Sequence, residues 1–113
     1  MIIGLLDYQS CARESAVYPG QGTFQGLAYC ALKLNGEAGE VAEKIGKAWR
    51  DEGGTISDER RMALILELGD VLWYLANIAE ELETTLELCA ERNLAKLASR
   101  RARGTLSGSG DNR

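Results

Sequence analysis

With 113 residues, a single proline and three cysteines, the chain has room for one domain and little to interrupt long helices. A net charge of −4 and the absence of histidine exclude imidazole bases, Ser-His and Cys-His nucleophilic pairs, His-held metals and a broad nucleic-acid surface, which would need a basic patch. Acid–base or metal work falls to carboxylates, and an anionic ligand needs a cation between itself and this acidic protein.

The opening MIIGLL meets Asp7 before it can form a signal-peptide core, and no continuous apolar run approaches the roughly 18–20 residues needed to cross a bilayer, so we expect a cytoplasmic protein with no membrane or nucleic-acid partner. Cys11, Cys30 and Cys89 lack any CxxC pattern and are expected to be buried small hydrophobes. A first helix is expected from Asp7 to about Val17, stopping before Pro19, with Pro19–Gly22 as a loop. Thr23 caps a second helix, in which Leu27, Ala31, Leu34, Ala38, Val41, Ile45 and Ala48 recur at helical steps, ending near Asp51 before Gly53-Gly54. Ser57 or Asp58 caps a third helix running to about Glu83. Thr84 and Glu87 have the form of a capping box for a fourth, which closes near Arg103 with Gly104 after it. Residues 1–104 thus form one domain, and Thr105–Arg113 a flexible or ligand-ordered tail.

The composition, rich in Ala, Leu and Glu, predicts an all-α, four-helix-bundle-type protomer with two long antiparallel helices. At about 1.5 Å per residue those two helices are each about 40 Å long, more than a compact monomer of this size encloses. The third, with Leu64, Ile65, Leu66, Leu68, Val71, Leu72 and Ile78, has no broad polar face at its middle. A homo-oligomer, dimer or tetramer, is therefore expected. Gly39, Ala42 and Gly46 on the second helix and Gly69 with Ala76 on the third form stripes of small residues that would let helix backbones approach closely.

Glu37-Ala-Gly-Glu40 lies on the second helix and Glu67-Leu-Gly-Asp70 on the third. At about 100° per residue, each pair projects from one side of its helix, one turn apart, at the border of the apolar face. Four carboxylates converging at a half-buried helix interface would raise one another's pKa unless a cation neutralised them. An all-oxygen ligand set selects a hard ion, Mg²⁺ with Mn²⁺ as substitute, and the Glu-x-x-His pairs of bundle iron sites are missing. Lys96 and Arg100, with Arg103 one turn further, form a cationic stripe suited to a triphosphate tail. Lys44 shares the acidic side, to touch phosphate or pair with Glu37 or Glu40. Asn77 lies about two turns past Asp70 as a candidate sugar contact, and Trp73 is a core residue or a platform for a base.

In the contexts LNGEAGEVAEKIGKAWRDEGG and LILELGDVLWYLANIAEEL, this pattern resembles the MazG-like nucleotide pyrophosphohydrolases of the all-α NTP pyrophosphatase group, from about Tyr18 onward. Gly36 stands where many members carry a further Glu. The resemblance implies hydrolysis of an NTP or dNTP between the α and β phosphates, giving monophosphate and pyrophosphate in a nucleotide house-cleaning role. It implies Glu37, Glu40, Glu67 and Asp70 as metal ligands and supports Lys96 and Arg100 as phosphate contacts. Glu40 is our choice of general base. A dUTP- or dCTP-type enzyme of the same fold group is the alternative, and a non-catalytic helical oligomerisation or partner-binding module is the alternative of another class. Nucleic-acid binding through Arg100, Arg101 and Arg103 is disfavoured by the short basic segment.

Overall fold

In the computed structural model, which describes residues 3–113, the chain forms four helices and, among the described residues, no strand: α1 Leu5–Glu14, α2 Phe24–Asp51, α3 Asp58–Glu81 and α4 Leu86–Ala102. The chain is all-α, as its composition predicts. Local signals set the boundaries. Ser57 Oγ accepts from the Arg60 amide at 3.1 Å, and Asp58 and Glu59 place negative charge at the positive end of α3. Thr23 ends the loop before α2 without a side-chain cap bond, its hydroxyl donating instead to Gly20 O at 2.6 Å.

The expected capping box at Thr84 and Glu87 is displaced by one residue. Thr85 is the cap, its Oγ1 accepting from Leu88 N at 3.0 Å. Thr84 is occupied in finishing α3, where its amide bonds Ala79 O at 2.9 Å beside Glu83 at φ +55, the arrangement of a helix terminated by a left-handed residue. Thr85→Ala should therefore destabilise the chain by about 1 kcal/mol while Thr84→Ala changes little, a difference that urea unfolding resolves. Helix α1, Leu5–Glu14, begins and ends earlier than its expected span; beyond its cap at Ser15 the chain brings Tyr18 to Glu81 at the end of α3.

Helix α3 is the hub. It packs along α2 on one side and meets α1 and α4 elsewhere, and among the described residues α4 makes no packing contact with α2. The interior is narrow, made of Ala12, Tyr18, Cys30, Ala48, Ala76 and Ala79. Cys30 is buried as expected; Cys11 and Cys89 are exposed, contrary to expectation, because each stands on the outward side of a peripheral helix. The radius of gyration is 16.9 Å, where a compact chain of about 100 residues has about 13 Å. Trp49 is 79% exposed and Leu66 70%, with Leu32, Met62, Ile65 and Leu68 also open on the two long helices.

The small-residue stripes do not draw helices together within the chain, since a Cβ added at Gly39, Gly46 or Gly69 would meet nothing within 4 Å. Space instead demands glycine at Gly26, where an added Cβ would stand 2.5 Å from Gly20 O as the first turn of α2 closes on the loop. One further expectation changes. By length and composition α3 is apolar enough to cross a membrane, which a reading of unbroken runs misses because Glu67 and Asp70 interrupt it.

Candidate metal and phosphate site

The α2–α3 hairpin brings the acidic pairs face to face. Its turn is fixed by Arg60, which pairs with Glu52 and donates to Lys44 O at 3.1 Å, locking residue 60 opposite residue 44. Continuing that antiparallel register places Glu37 against Glu67 and Asp70, and one oxygen from each of the three lies within 4.8 Å of the others. Glu37 and Glu67 are half-buried and Asp70 is exposed, so the cluster opens to solvent on one side. Lys44 supplies the local counter-charge, with Nζ 2.9 Å from Glu67 Oε1 and 3.8 Å from Glu40 Oε2.

Burial and mutual repulsion both act on these acids. Burial raises the Glu37 carboxyl above its ordinary value, and the charges of Asp70, Glu67 and Glu40 push it further, against a smaller opposing effect of Lys33. Lys44 is held protonated more firmly than a free lysine, first by its hydrogen bond to Glu67. Two phenols feel the same field. Tyr74 is raised by burial and then by Tyr29, Glu37, Cys30 and Asp70, and Tyr8 by burial and then by Asp70. Helix α1 thus brings Tyr8 within electrostatic reach of the acids, which the sequence did not signal because a lone tyrosine sixty-two residues from Asp70 carries no periodic cue.

Of the four expected ligands, the structure gathers three. Glu40 lies outside the group, with its side chain 52% exposed, one turn toward the hairpin end, and leaning on Lys44. Trp73 is half-buried, donating its indole N–H to Ser15 Oγ at 2.8 Å and packing edge-on against Tyr18 and Tyr74. Asn77 does not present its amide to a sugar. It is fully buried, its Oδ1 accepting from Arg13 at 3.2 Å and its Nδ2 donating to Trp73 O at 3.1 Å. Lys96 is exposed on α4, whereas Arg100 is 4% exposed and donates to Asp111 O at 2.9 Å. Arg103 is exposed and bonds Ser99 Oγ and Arg113 O.

At the C-terminal end of α3 stands a polar knot that sequence reasoning missed. The Glu81 side chain, 1% exposed, accepts hydrogen bonds from Tyr18, from Arg13 and from the Gly22 amide, whose nitrogen is 2.9 Å from Oε2. Burial alone would push its carboxyl up, but the Tyr18 and Gly22 hydrogen bonds together with Arg13 outweigh it and hold the carboxyl below its ordinary value. Tyr18 is raised by burial and by Glu81. This knot joins α1, the loop before α2 and the end of α3, and through Asn77 and Trp73 it fixes the helix that carries Glu67 and Asp70.

Comparison with known proteins agrees with the pattern of acids. The chain is similar to the "Gene 37 protein" of Mycobacterium phage L5, 49% identical over 109 residues, covering 94% of this chain and 96% of that protein. No solved structure matches. The MazG nucleotide pyrophosphohydrolase domain matches residues 25–104, which takes in both acidic pairs and the cations of α4, and the chain therefore belongs to the MazG nucleotide pyrophosphohydrolase family.

Proposed function

We propose that the chain hydrolyses a nucleoside triphosphate between the α and β phosphates, releasing the monophosphate and pyrophosphate in a Mg²⁺-dependent reaction that Mn²⁺ also supports. The observation that carries this reading is the convergence of Glu37, Glu67 and Asp70 from two helices, three hard oxygen donors with one face open to solvent. The donor set fits a hard divalent ion, since three carboxylates with ligand oxygens within 4.8 Å of one another repel, and that repulsion adds to the burial that raises the Glu37 carboxyl. When bound, such an ion supplies Lewis acidity toward phosphate oxygens and toward water. Glu37, Glu67 and Asp70 hold it, and Glu40, half-exposed one turn away, is the carboxylate left to accept a proton. Lys44 steadies Glu67 and Glu40, and the cations of α4 receive phosphate charge. We place the enzyme in the cytoplasm, clearing surplus or noncanonical nucleotides.

A panel of NTPs and dNTPs with Mg²⁺, read for pyrophosphate against orthophosphate, tests the reaction. Orthophosphate as sole product would identify a different bond, and activity confined to dUTP or dCTP would select that branch of the fold group. A pH dependence follows from Glu37. Because its folded-state pKa is raised, the protonated form favours the cation-free fold at low pH, and that contribution is lost as pH rises through the raised value, where a divalent cation binds instead. Mn²⁺ affinity measured by calorimetry should keep rising as pH climbs above the ordinary carboxyl value of 4.5, and Glu37→Gln should flatten that rise.

The same reading includes self-association. A groove of about 500 Å³ lined by Ile45, Ile56, Arg61, Leu64, Ile65 and Leu68 opens beside the α2–α3 turn, and Ile45 and Ile56 also line a neighbouring cavity with exposed Trp49. Lipid is a poor match for this surface, because each acid at mid-helix would cost about 2.5–3.5 kcal/mol to place at a bilayer centre. A second copy covers it without that penalty. Light scattering should return a dimer or tetramer mass, and a monomer at micromolar concentration would end this part of the proposal.

A further inference from the structure

We infer that residues 105–113 form an intramolecular strap that occupies the anion site at Arg100 and is displaced by a polyphosphate chain; the inference rests on the reading of the α4 cations as phosphate contacts. Helix α4 ends at Ala102; beyond it Gly104 has φ +72 and Thr105 N bonds Arg100 O at 2.8 Å, which turns the chain back over the last helical turn. Gly108 at φ +123 and Gly110 at φ +87 continue the reversal. Arg113 closes it, donating to Gly110 O and Leu106 O. The reversed segment sits on Arg100 of α4 and on Arg103 just past its end, Arg100 reaching Asp111 O and Arg103 reaching Arg113 O at 3.0 Å.

The strap satisfies Arg100 poorly. Although 4% exposed, this guanidinium makes its close contact to a neutral carbonyl, while the nearest carboxylate oxygen, on the 96% exposed side chain of Asp111, is 3.9 Å away. Its Nε is buried without a partner among the described residues. An unmet donor on a buried cation is unfavourable, and Nε beside Nη2 presents the two parallel N–H groups that a phosphate takes in bidentate fashion. Charge-assisted bonds to phosphate are about twice as strong as neutral ones, so exchanging Asp111 for a phosphate is favourable at Arg100 itself. The strap that must leave is small and polar, Ser107-Gly108-Ser109-Gly110, with little apolar contact to hold it. Its closed form removes the site from most molecules at any moment, and the apparent affinity for phosphate falls by the open fraction.

The test uses the full chain and inorganic triphosphate, which needs no hydrolysis. The double variant Asp111→Ala/Arg113→Ala leaves net charge unchanged while cutting the contacts that fold the strap. Calorimetry should show triphosphate binding about three- to tenfold tighter than in the parent chain. In the parent, the Gly108 and Gly110 amide resonances should move toward random-coil positions as triphosphate is added. Adding Arg100→Gln to the double variant should remove the gain. Equal or weaker binding by the double variant, tail resonances that stay fixed or become more dispersed, or a gain that survives Arg100→Gln would each overturn the strap. Absence of pyrophosphohydrolase activity with the strap still released by triphosphate would instead defeat the proposed reaction and leave this inference standing.

Discussion

Glu67→Gln is expected to lower Mg²⁺-dependent hydrolysis by about a thousandfold, equivalent to about 4 kcal/mol of lost transition-state stabilisation. Glu67 belongs to the acid triad and also receives Lys44 at 2.9 Å, so within the triad it is the acid whose charge a bound ion would share with that lysine. Glutamine preserves the shape and still offers Lys44 an oxygen, which keeps the hairpin register, but it removes the anionic donor. The loss should therefore appear in Mn²⁺ affinity and in turnover together, with the far-UV spectrum unchanged. Glu40→Gln provides the contrast. Lying outside the triad, it should depress turnover by about a hundredfold while Mn²⁺ affinity stays near the parent value, the signature of a proton acceptor rather than a ligand. Equal losses of metal affinity in both variants would return Glu40 to the ligand set, and parent-like activity in Glu67→Gln would remove the proposed centre altogether.

What the sequence made legible is what depends on neighbours along the chain. Helical periodicity, Ser57 as a cap and Gly104 as a terminator are local, and all three stand where local rules put them. The acid pairs were legible because an i,i+3 spacing fixes two side chains on one helix side whatever the rest of the chain does. That Glu40 falls outside the cluster was not, since it depends on how the α2–α3 hairpin rotates each helix about its axis, and Arg60 with Glu52 sets that register from the turn. Thr84 and Thr85 are equivalent to a motif search; the choice between them is made by where α3 releases its last carbonyls. The Glu81 knot was invisible for a stronger reason, because its partners lie 59 to 68 residues away and none has a spacing that advertises the contact. Asn77 was misplaced for the same cause: a polar residue on an apolar helix reads as an edge until Arg13 arrives from α1 to bury it.

Glu81→Ala is expected to cost about 3–5 kcal/mol of stability, because it leaves Arg13 as an uncompensated charge and the Gly22 amide without its acceptor. For a chain of this length each 1 kcal/mol shifts Tm by about 4 °C, so the melting temperature should fall by more than about 10 °C at fixed protein concentration. Urea midpoints should shift with little change in slope, as befits a lost interaction rather than a changed denatured state. The pH dependence distinguishes a paired carboxylate from a mere gap in packing. Since the folded-state pKa of Glu81 lies below its ordinary 4.5, its contribution is fully present above that value and is lost as pH falls through the lowered one. The parent chain should therefore lose stability on acidification below about pH 4.5 more steeply than Glu81→Ala, whose curve lacks this group. Turnover should fall in the variant as well, even with metal saturating, because the knot anchors Asn77 and Trp73 on the helix that carries Glu67 and Asp70. Parallel acid curves for the two proteins would show that the buried carboxylate is held by packing alone and that Arg13 and Tyr18 do not set its charge.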